Sequence, residues 1–179
     1  MSFRSRRMVL RVGEAEVQAF ADQLGWPRVD EAVEEIGGLV SREVTWAAGT
    51  GLSLQYIEDP ASLLRYLVVW GPAEDEVAAL ALMVERGVPV WSLDELLAAA
   101  DGPEAVIRAG VGAPDSYDQR FFEYVVAAMT DPDTAVREAA LYATAYSSYP
   151  QYREKLADVA QNDPDPARRE DADLILESF

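Results

Sequence analysis

Near the C-terminal end of the printed sequence, a twelve-residue segment occurs twice. The window that begins at Asp131 reads DPDTAVREAALY, and the window that begins at Asp163 reads DPDPARREDADL. The two windows start 32 residues apart and carry the same residue type at seven of their twelve positions. A repeat of this length is typical of stacked helical hairpins, in which each hairpin buries its apolar face against its neighbours. The segment therefore predicts a helical array over the last third of the chain.

Apolar residues recur at helical spacing in four segments after residue 114, which predicts two helix pairs. The four stripes are Phe121/Phe122/Val125/Val126/Met129, Val136/Ala139/Ala140/Ala143, Tyr152/Leu156/Val159/Ala160 and Ala172/Ile175/Leu176/Phe179. A cluster of Gly110, Gly112 and Pro114 precedes them. Since glycine and proline interrupt regular structure, we expect one domain over residues 1–114 and a helical domain over residues 115–179.

The first 114 residues mix strand and helix patterns, which predicts the α+β class, with a small antiparallel sheet and helices packed on it. Strands are predicted at residues 8–12, 40–47, 52–57 and 65–70, and a short edge strand at 88–91. Helices are predicted at residues 14–24 and 29–36, from Gly71-Pro72 to Arg86-Gly87, from Ser92 to Ala100, and at 103–109. The helix at 29–36 depends on the spacing of Val29, Ala32, Val33 and Ile36, and on Gly37-Gly38 as its end.

The Asp-Pro-Asp-x-x-Val-Arg-x-x-Ala pattern resembles HEAT repeats and, more loosely, armadillo-type helical arrays. The resemblance covers about residues 118–179, a third of the chain. In HEAT repeats, a turn aspartate and a helix arginine often form a hydrogen-bonded ladder between stacked repeats. The resemblance implies that Asp131 and Asp163, with Arg137 and Arg169, take these structural places.

The second copy is more polar than the first. Val136, Ala139 and Leu141 of the first copy correspond to Arg168, Asp171 and Asp173 of the second. A terminal repeat needs a polar outer face, so the second copy is interpreted as a C-terminal cap. Two repeats are fewer than such arrays need to stand alone, and we expect the α+β domain to pack on the other end.

The composition restricts the chemistry that is available. The chain has no cysteine and no histidine, which removes disulfides, thiolate nucleophiles and the commonest general base and metal ligand. The net charge of −17 disfavours nucleic acid and anionic membranes as partners and favours a basic protein. Since no stretch approaches the about 18 apolar residues of a spanning helix, we expect a cytoplasmic protein. Fourteen arginines against one lysine are typical of GC-rich bacterial genomes.

The aspartates of the repeated turns have a structural and a chemical interpretation. Asp133 and Asp165 directly precede predicted helices, where aspartate commonly caps the free amide groups. Carboxylate pairs are also the groups with which an enzyme could work here; they are Asp131/Asp133, Asp163/Asp165, Asp171/Asp173 and Glu34/Glu35. The second turn lacks the glycine and the distal glutamate of a calcium loop. We therefore predict capping and turn roles, with no metal and no cofactor.

Tyr142, Tyr146, Tyr149 and Tyr152 cluster around one predicted helix connection. Aromatic side chains are common both at interaction hot spots and in packed interiors, so these four are candidates for a partner surface or for the core. The first hypothesis is a non-enzymatic module that binds a protein partner, for example an immunity-type protein that neutralises a bacterial toxin. The alternative is a carboxylate enzyme with a cleft between the two domains. A mimic of nucleic acid is a third. The oligomeric state stays open.

Overall fold

Residues 2–36, 38–98 and 102–179 are described by the structure, a computed structural model. The chain divides into two units, Met1–Ser92 and Leu93–Phe179. The first contains an antiparallel sheet with two helices, and the second contains six helices within its described residues. The protein therefore belongs to the α+β class, as its sequence predicts.

The sheet of the first unit has the strand order β1-β6-β5-β4-β3, and β2 also pairs with β6. Its strands are β1 (Phe3–Arg4), β2 (Met8–Val9), β3 (Arg28–Ile36), β4 (Leu39–Ala47), β5 (Ser53–Asp59) and β6 (Leu64–Gly71). The helices are α1 (Glu14–Gln23) and α2 (Glu74–Gly87). Side chains of both helices, among them Val17 and Val84, form a common core with Trp46, Tyr56 and Leu67 of the sheet.

The helix predicted at residues 29–36 was wrong, because this segment is the strand β3. It pairs with β4 in a continuous antiparallel register that runs from Asp30 opposite Thr45 to Ile36 opposite Leu39. A short segment with several β-branched residues fits helical and strand patterns equally, and only the partner strand decides between them. Val33, a member of the supposed buried stripe, is 61% exposed. The predicted end at Gly37-Gly38 includes Gly37, which lies outside the described residues.

Strands β4, β5 and β6 lie where alternation and β-branched residues predict them, with ends shifted by one or two residues. Strand β2 ends at Val9, three residues before its predicted end, and β1 has no predicted counterpart. The segment predicted as an edge strand at 88–91 lies beside residues 9 and 10, at the end of β2. Val90 forms an antiparallel bridge with Leu10, and Trp91 donates its backbone N–H to Val9 O at 2.8 Å. Pro89 is compatible with this place at the margin of the sheet, because an edge position needs fewer amide donors.

The second unit consists of three successive helical hairpins. They are α3 (Leu93–Ala98) with α4 (Pro103–Gly112), α5 (Gln119–Ala128) with α6 (Thr134–Ser147), and α7 (Tyr152–Asn162) with α8 (Pro166–Leu176). The second helices α4, α6 and α8 lie side by side, as do the first helices α3, α5 and α7. The predicted end of α3 at Ala100 lies outside the described residues.

The division at Ser92/Leu93 differs from the domain boundary predicted after residue 114. The glycines that suggested that boundary belong to α4, which packs along α6. A Cβ atom at Gly110 would lie 2.5 Å from the Cα atom of Ala143, so a glycine at this position allows close helix packing. Glycine therefore marks a close contact between helices at this position, whereas the sequence pattern indicates a domain boundary.

Candidate functional site

Each Asp-Pro-Asp turn uses its two aspartates in the same way. The carboxylate of Asp131 accepts the N–H of Asp133 at 2.8 Å, and that of Asp133 accepts the amide two residues further on, at the start of α6. In the second turn, Asp163 accepts the N–H of Asp165 at 2.8 Å, and Asp165 caps α8 in the same manner. All four carboxylates are therefore engaged by backbone amides of the turns.

A buried ion pair connects the two turns. Arg137 on α6 donates Nε to Asp163 Oδ2 at 2.9 Å, and its Nη1 donates to the carbonyl oxygen of Asp131 at 3.0 Å. Arg169 repeats the second interaction one hairpin later, donating Nη1 to the carbonyl oxygen of Asp163 at 2.6 Å. Both Arg137 and Asp163 are buried. This arrangement holds one hairpin to the next.

A cavity of about 410 Å³ opens beside this ion pair, between the α5–α6 and α7–α8 turns. Its lining includes Met129, Pro132, Val159, Asn162 and Pro164 together with the ion pair. The carboxylate of Asp163 already accepts hydrogen bonds from Arg137 and from the amide of Asp165. Because its charge and its acceptor capacity are used within the fold, the pair serves chiefly to join the hairpins.

Two of the four candidate tyrosines lie in the interior of the second unit. The rings of Tyr149 and Tyr152 stack with centroids 5.5 Å apart, and Tyr117 and Phe122 pack against them. The hydroxyl of Tyr149 donates to the carbonyl oxygen of Pro114 at 2.8 Å. Burial raises the pKa of Tyr149 to about 12 and also raises the pKa of Tyr152. These two side chains belong to the packed core.

The other two candidates lie on α6, where Tyr146 is half-buried and Tyr142 is exposed. Tyr142 borders a groove of about 190 Å³ between α6 and α8, together with the exposed Leu174. The carboxyl-bearing residues Glu138 and Asp171 also line this groove. The four tyrosines thus form no single surface, and Tyr142 is the one that a partner could reach most fully.

A more exposed apolar surface lies at one end of the sheet, where the β3–β4 and β5–β6 turns are adjacent. We call it the hairpin-end surface and define it by three side chains, each at least half exposed: Leu39, Val40 and Leu63. A depression of about 310 Å³ lies between the two turns and is bordered by Leu39, Val40 and Leu63. Contiguous exposed apolar groups of this kind often mark interaction sites.

Leu63 is the most exposed member of this surface, at 84%, and its backbone is strained. Its φ angle of +58° lies in the left-handed region, which bulky residues rarely adopt. Asp59 holds the turn, since its carboxylate accepts the N–H of Ala61 at 2.9 Å and the hydroxyl of Ser62 at 2.8 Å. The turn thereby presents an apolar side chain to solvent at a conformational cost.

Carboxylates border the hairpin-end surface. Glu34 and Glu35 are exposed on β3, and Glu35 lies opposite Val40 in the β3–β4 pairing. Across the sheet, Glu58 accepts the hydroxyl of Tyr56 at 2.6 Å and lies 3.4 Å from Nε of Arg65. The patch is thus bordered by carboxylates on the β3 side and by an ion pair on the β5–β6 side, and the carboxylates favour basic groups around the apolar contacts of a partner.

Over residues 2–36, 38–98 and 102–179, no group of three or more acidic side chains converges closely enough to hold a metal ion. Within the same ranges, no helix combines the length and the apolar character needed to cross a bilayer. Searches of protein-family profiles, of curated proteins and of solved structures found no match to this chain.

The hairpin-end surface was not predicted from the sequence. Leu39 lies just before the strand predicted at residues 40–47, and Leu63 lies between the strands predicted at residues 52–57 and 65–70 without an assignment of its own. A signal was present at Leu63, because this apolar residue follows Asp59-Pro60-Ala61-Ser62, a segment of turn-forming residues. The adjacency of Leu39, Val40 and Leu63 depends on the register of β4 against β5, in which Arg42 lies opposite Glu58, and local pattern does not specify this register.

Proposed function

We propose that this chain is a non-enzymatic protein-interaction module in which an α+β unit accompanies a HEAT-like helical array. It binds a basic protein partner through the hairpin-end surface. The single observation that carries this proposal is the strained and exposed Leu63 among exposed apolar neighbours. Neutralisation of a bacterial toxin, as in immunity-type proteins, is the concrete form of this function that the acidic charge favours.

The strain at Leu63 is the main support, because folding alone gives no reason to keep it. Glycine or asparagine adopts this backbone conformation more readily than leucine. A side chain that is 84% exposed also contributes little hydrophobic stabilisation to the unit itself. Residues that cost stability without a structural return are common at functional surfaces.

The HEAT-like assignment is supported by the connection between hairpins. Arg137 pairs with Asp163 of the next hairpin, which is the ladder that the resemblance implies. The α3–α4 hairpin adds a further hairpin before the two that the sequence repeat marks. Three hairpins reach the number that such arrays generally need for stability.

The charge supports a basic partner. A net charge of −17 attracts cationic proteins over distances comparable to the Debye length, about 8 Å at physiological ionic strength. Attraction of this kind mainly accelerates association, while the apolar contacts set the lifetime of the complex. The proposal therefore assigns recognition to the acidic border and retention to Leu39, Val40 and Leu63.

The test is an affinity capture from the native cell, followed by titration of the purified partner. Leu63→Asn fits the left-handed backbone and removes the apolar side chain, so we expect it to abolish capture of a basic protein. Leu174→Ser is the matched control, since it removes an exposed leucine from the helical unit. Equal capture by Leu63→Asn and wild type, or loss with Leu174→Ser alone, would overturn the proposal. Neutralisation further predicts that the partner is toxic when expressed without this chain.

A further inference from the structure

The outer edge of β3 carries main-chain groups that none of the described strands pairs. β3 is the last strand in the sheet order, and its partner is β4. Hydrogen-bonded and non-bonded residue pairs alternate along an antiparallel ladder. Ala48 N donates to Leu52 O at 2.9 Å, so every second residue of β4 counted back from Ala48 bonds to β5.

The intervening residues of β4 must then bond to β3. Ala47 follows this rule, since its N–H donates to Pro27 O at 2.9 Å. Further along, the rule makes Asp30, Ala32 and Glu34 the β3 residues that bond to Thr45, Glu43 and Ser41. The residues between them, Glu31, Val33 and Glu35, therefore direct their N–H and C=O groups away from β4.

The same three residues share one face of the strand. Their partners across the ladder are Val44, Arg42 and Val40, which alternate on β4. The side chains of Glu31, Val33 and Glu35 are all exposed. The free edge thus presents alternating carboxylate, valine and carboxylate side chains, and each of these residues also offers an outward donor and acceptor.

We propose that β3 receives an extended basic segment of the partner protein as an additional antiparallel strand. This inference rests on the proposed function, because it names the form in which the partner is bound. Main-chain hydrogen bonds to Glu31, Val33 and Glu35 supply the pairing. Because Glu31 already pairs with Arg28 at 2.8 Å and with Arg42 at 2.9 Å, selectivity comes mainly from lysine or arginine opposite Glu35 and an apolar residue opposite Val33.

A second copy of this chain is the other strand that could pair with the edge, and the charges oppose it. Antiparallel self-pairing centred on Val33 would place Glu31 of each copy opposite Glu35 of the other. Like charges directly opposite in a ladder are destabilising, and charged residues commonly protect edge strands in this way. The charges on this edge therefore oppose pairing with a second copy of the chain and favour pairing with a cationic strand.

The test uses a blocked synthetic peptide, Thr-Lys-Lys-Val-Thr-Lys-Thr, and amide hydrogen exchange followed by NMR on the full chain. In the free protein, the amide of Val33 is expected to exchange faster than those of Ala32 and Glu34. The peptide should protect Glu31, Val33 and Glu35 selectively. A peptide with N-methylated valine has the same charge but lacks the central donor, and it should bind about tenfold more weakly. Equal binding of the two peptides, or protection elsewhere, would overturn the inference.

Variants of the protein give the complementary test. Val33→Pro removes an outward donor, which an edge strand tolerates, and should weaken peptide binding about tenfold. Val33→Thr keeps the donor and the β-branched shape and should bind within about threefold of wild type. Unaltered binding by Val33→Pro overturns the strand pairing, as does a wild-type dimer that Val33→Pro dissociates. If the Val33→Pro variant is unfolded, the comparison of the N-methylated and unmodified peptides on the wild-type protein tests the strand pairing instead.

The two proposals fail separately. If partner capture depends on Leu63 while the peptide does not protect β3, the strand pairing is refuted and the interaction module stands. If the peptide protects β3 while capture is indifferent to Leu63, the hairpin-end surface is refuted as the binding site, and the edge remains.

Discussion

Leu63 and Ser148 share a backbone conformation for different reasons. Both are non-glycine residues with positive φ angles, +58° and +48°. Ser148 ends α6 and donates its N–H to Thr144 O at 2.8 Å, which is a common way to terminate a helix. Leu63 ends no helix, and its large side chain is exposed. The conformation of Ser148 is thus explained by local structure, whereas helix termination gives no such explanation for Leu63.

We expect Leu63→Gly to stabilise the first unit by about 1 kcal/mol, because it relieves the left-handed strain and removes little buried area. All four tryptophans precede residue 93, so tryptophan fluorescence during urea unfolding reports on this unit. Ser148→Gly is the control. It should also raise the stability of the helical unit, and it should leave partner binding unchanged. A lower unfolding midpoint for Leu63→Gly would contradict this account of the turn.

Tyr149 predicts a loss of stability in alkaline solution. Burial raises its pKa from the ordinary value near 10 to about 12, so the folded state favours the neutral phenol. The resulting stabilisation is complete below pH of about 10 and disappears as the pH rises through about 12. Tyr149→Phe should flatten the fall of the unfolding free energy across this window. An equally steep fall in the variant would assign the pH dependence to other groups.

At the scale of the helices, the ion pair between hairpins is expected to contribute far more than the repeated arginine after it. Arg137→Met leaves the carboxylate of Asp163 buried without its cation, which costs roughly 3–5 kcal/mol. Arg169 is partly exposed and donates to a carbonyl oxygen, so Arg169→Met should cost about 1 kcal/mol. Urea unfolding followed by far-UV circular dichroism compares the two. Equal losses of stability in the two variants would show that the ion pair between Arg137 and Asp163 is not the main connection between the hairpins.

The helices after residue 114 were predictable because two independent local signals agree there. Apolar stripes mark α5 to α8, and aspartates mark the starts of α6 and α8. β3 lacked such agreement, since its stripe suggested a helix while no capping residue preceded it. The α3–α4 hairpin was also not predicted as part of the array, because its glycines resemble a linker in the sequence. Only the tertiary structure shows that Gly110 packs closely against Ala143.

For the whole molecule, charge dominates the expected response to salt. A chain with a net charge of −17 repels itself in the folded state, and added salt screens this repulsion. We expect the melting temperature to rise as NaCl increases from about 0.01 M to about 0.15 M. A neutral osmolyte at equal osmolality is the control for solvent effects. A falling melting temperature would show that ion pairs such as that between Arg137 and Asp163 outweigh the general repulsion.

Local sequence pattern and composition were sufficient to predict the α+β class, the helices of the repeat with their capping aspartates, and the acidic character that favours a basic partner. These features depend on residues close together in the chain or on composition, and local pattern records both. Tertiary structure alone decided that β3 is an edge strand, that Tyr149 and Tyr152 are buried, and that Leu63 lies beside Leu39 and Val40. Each of these depends on contacts between residues distant in sequence, and no local pattern specifies which distant segment will supply the contact.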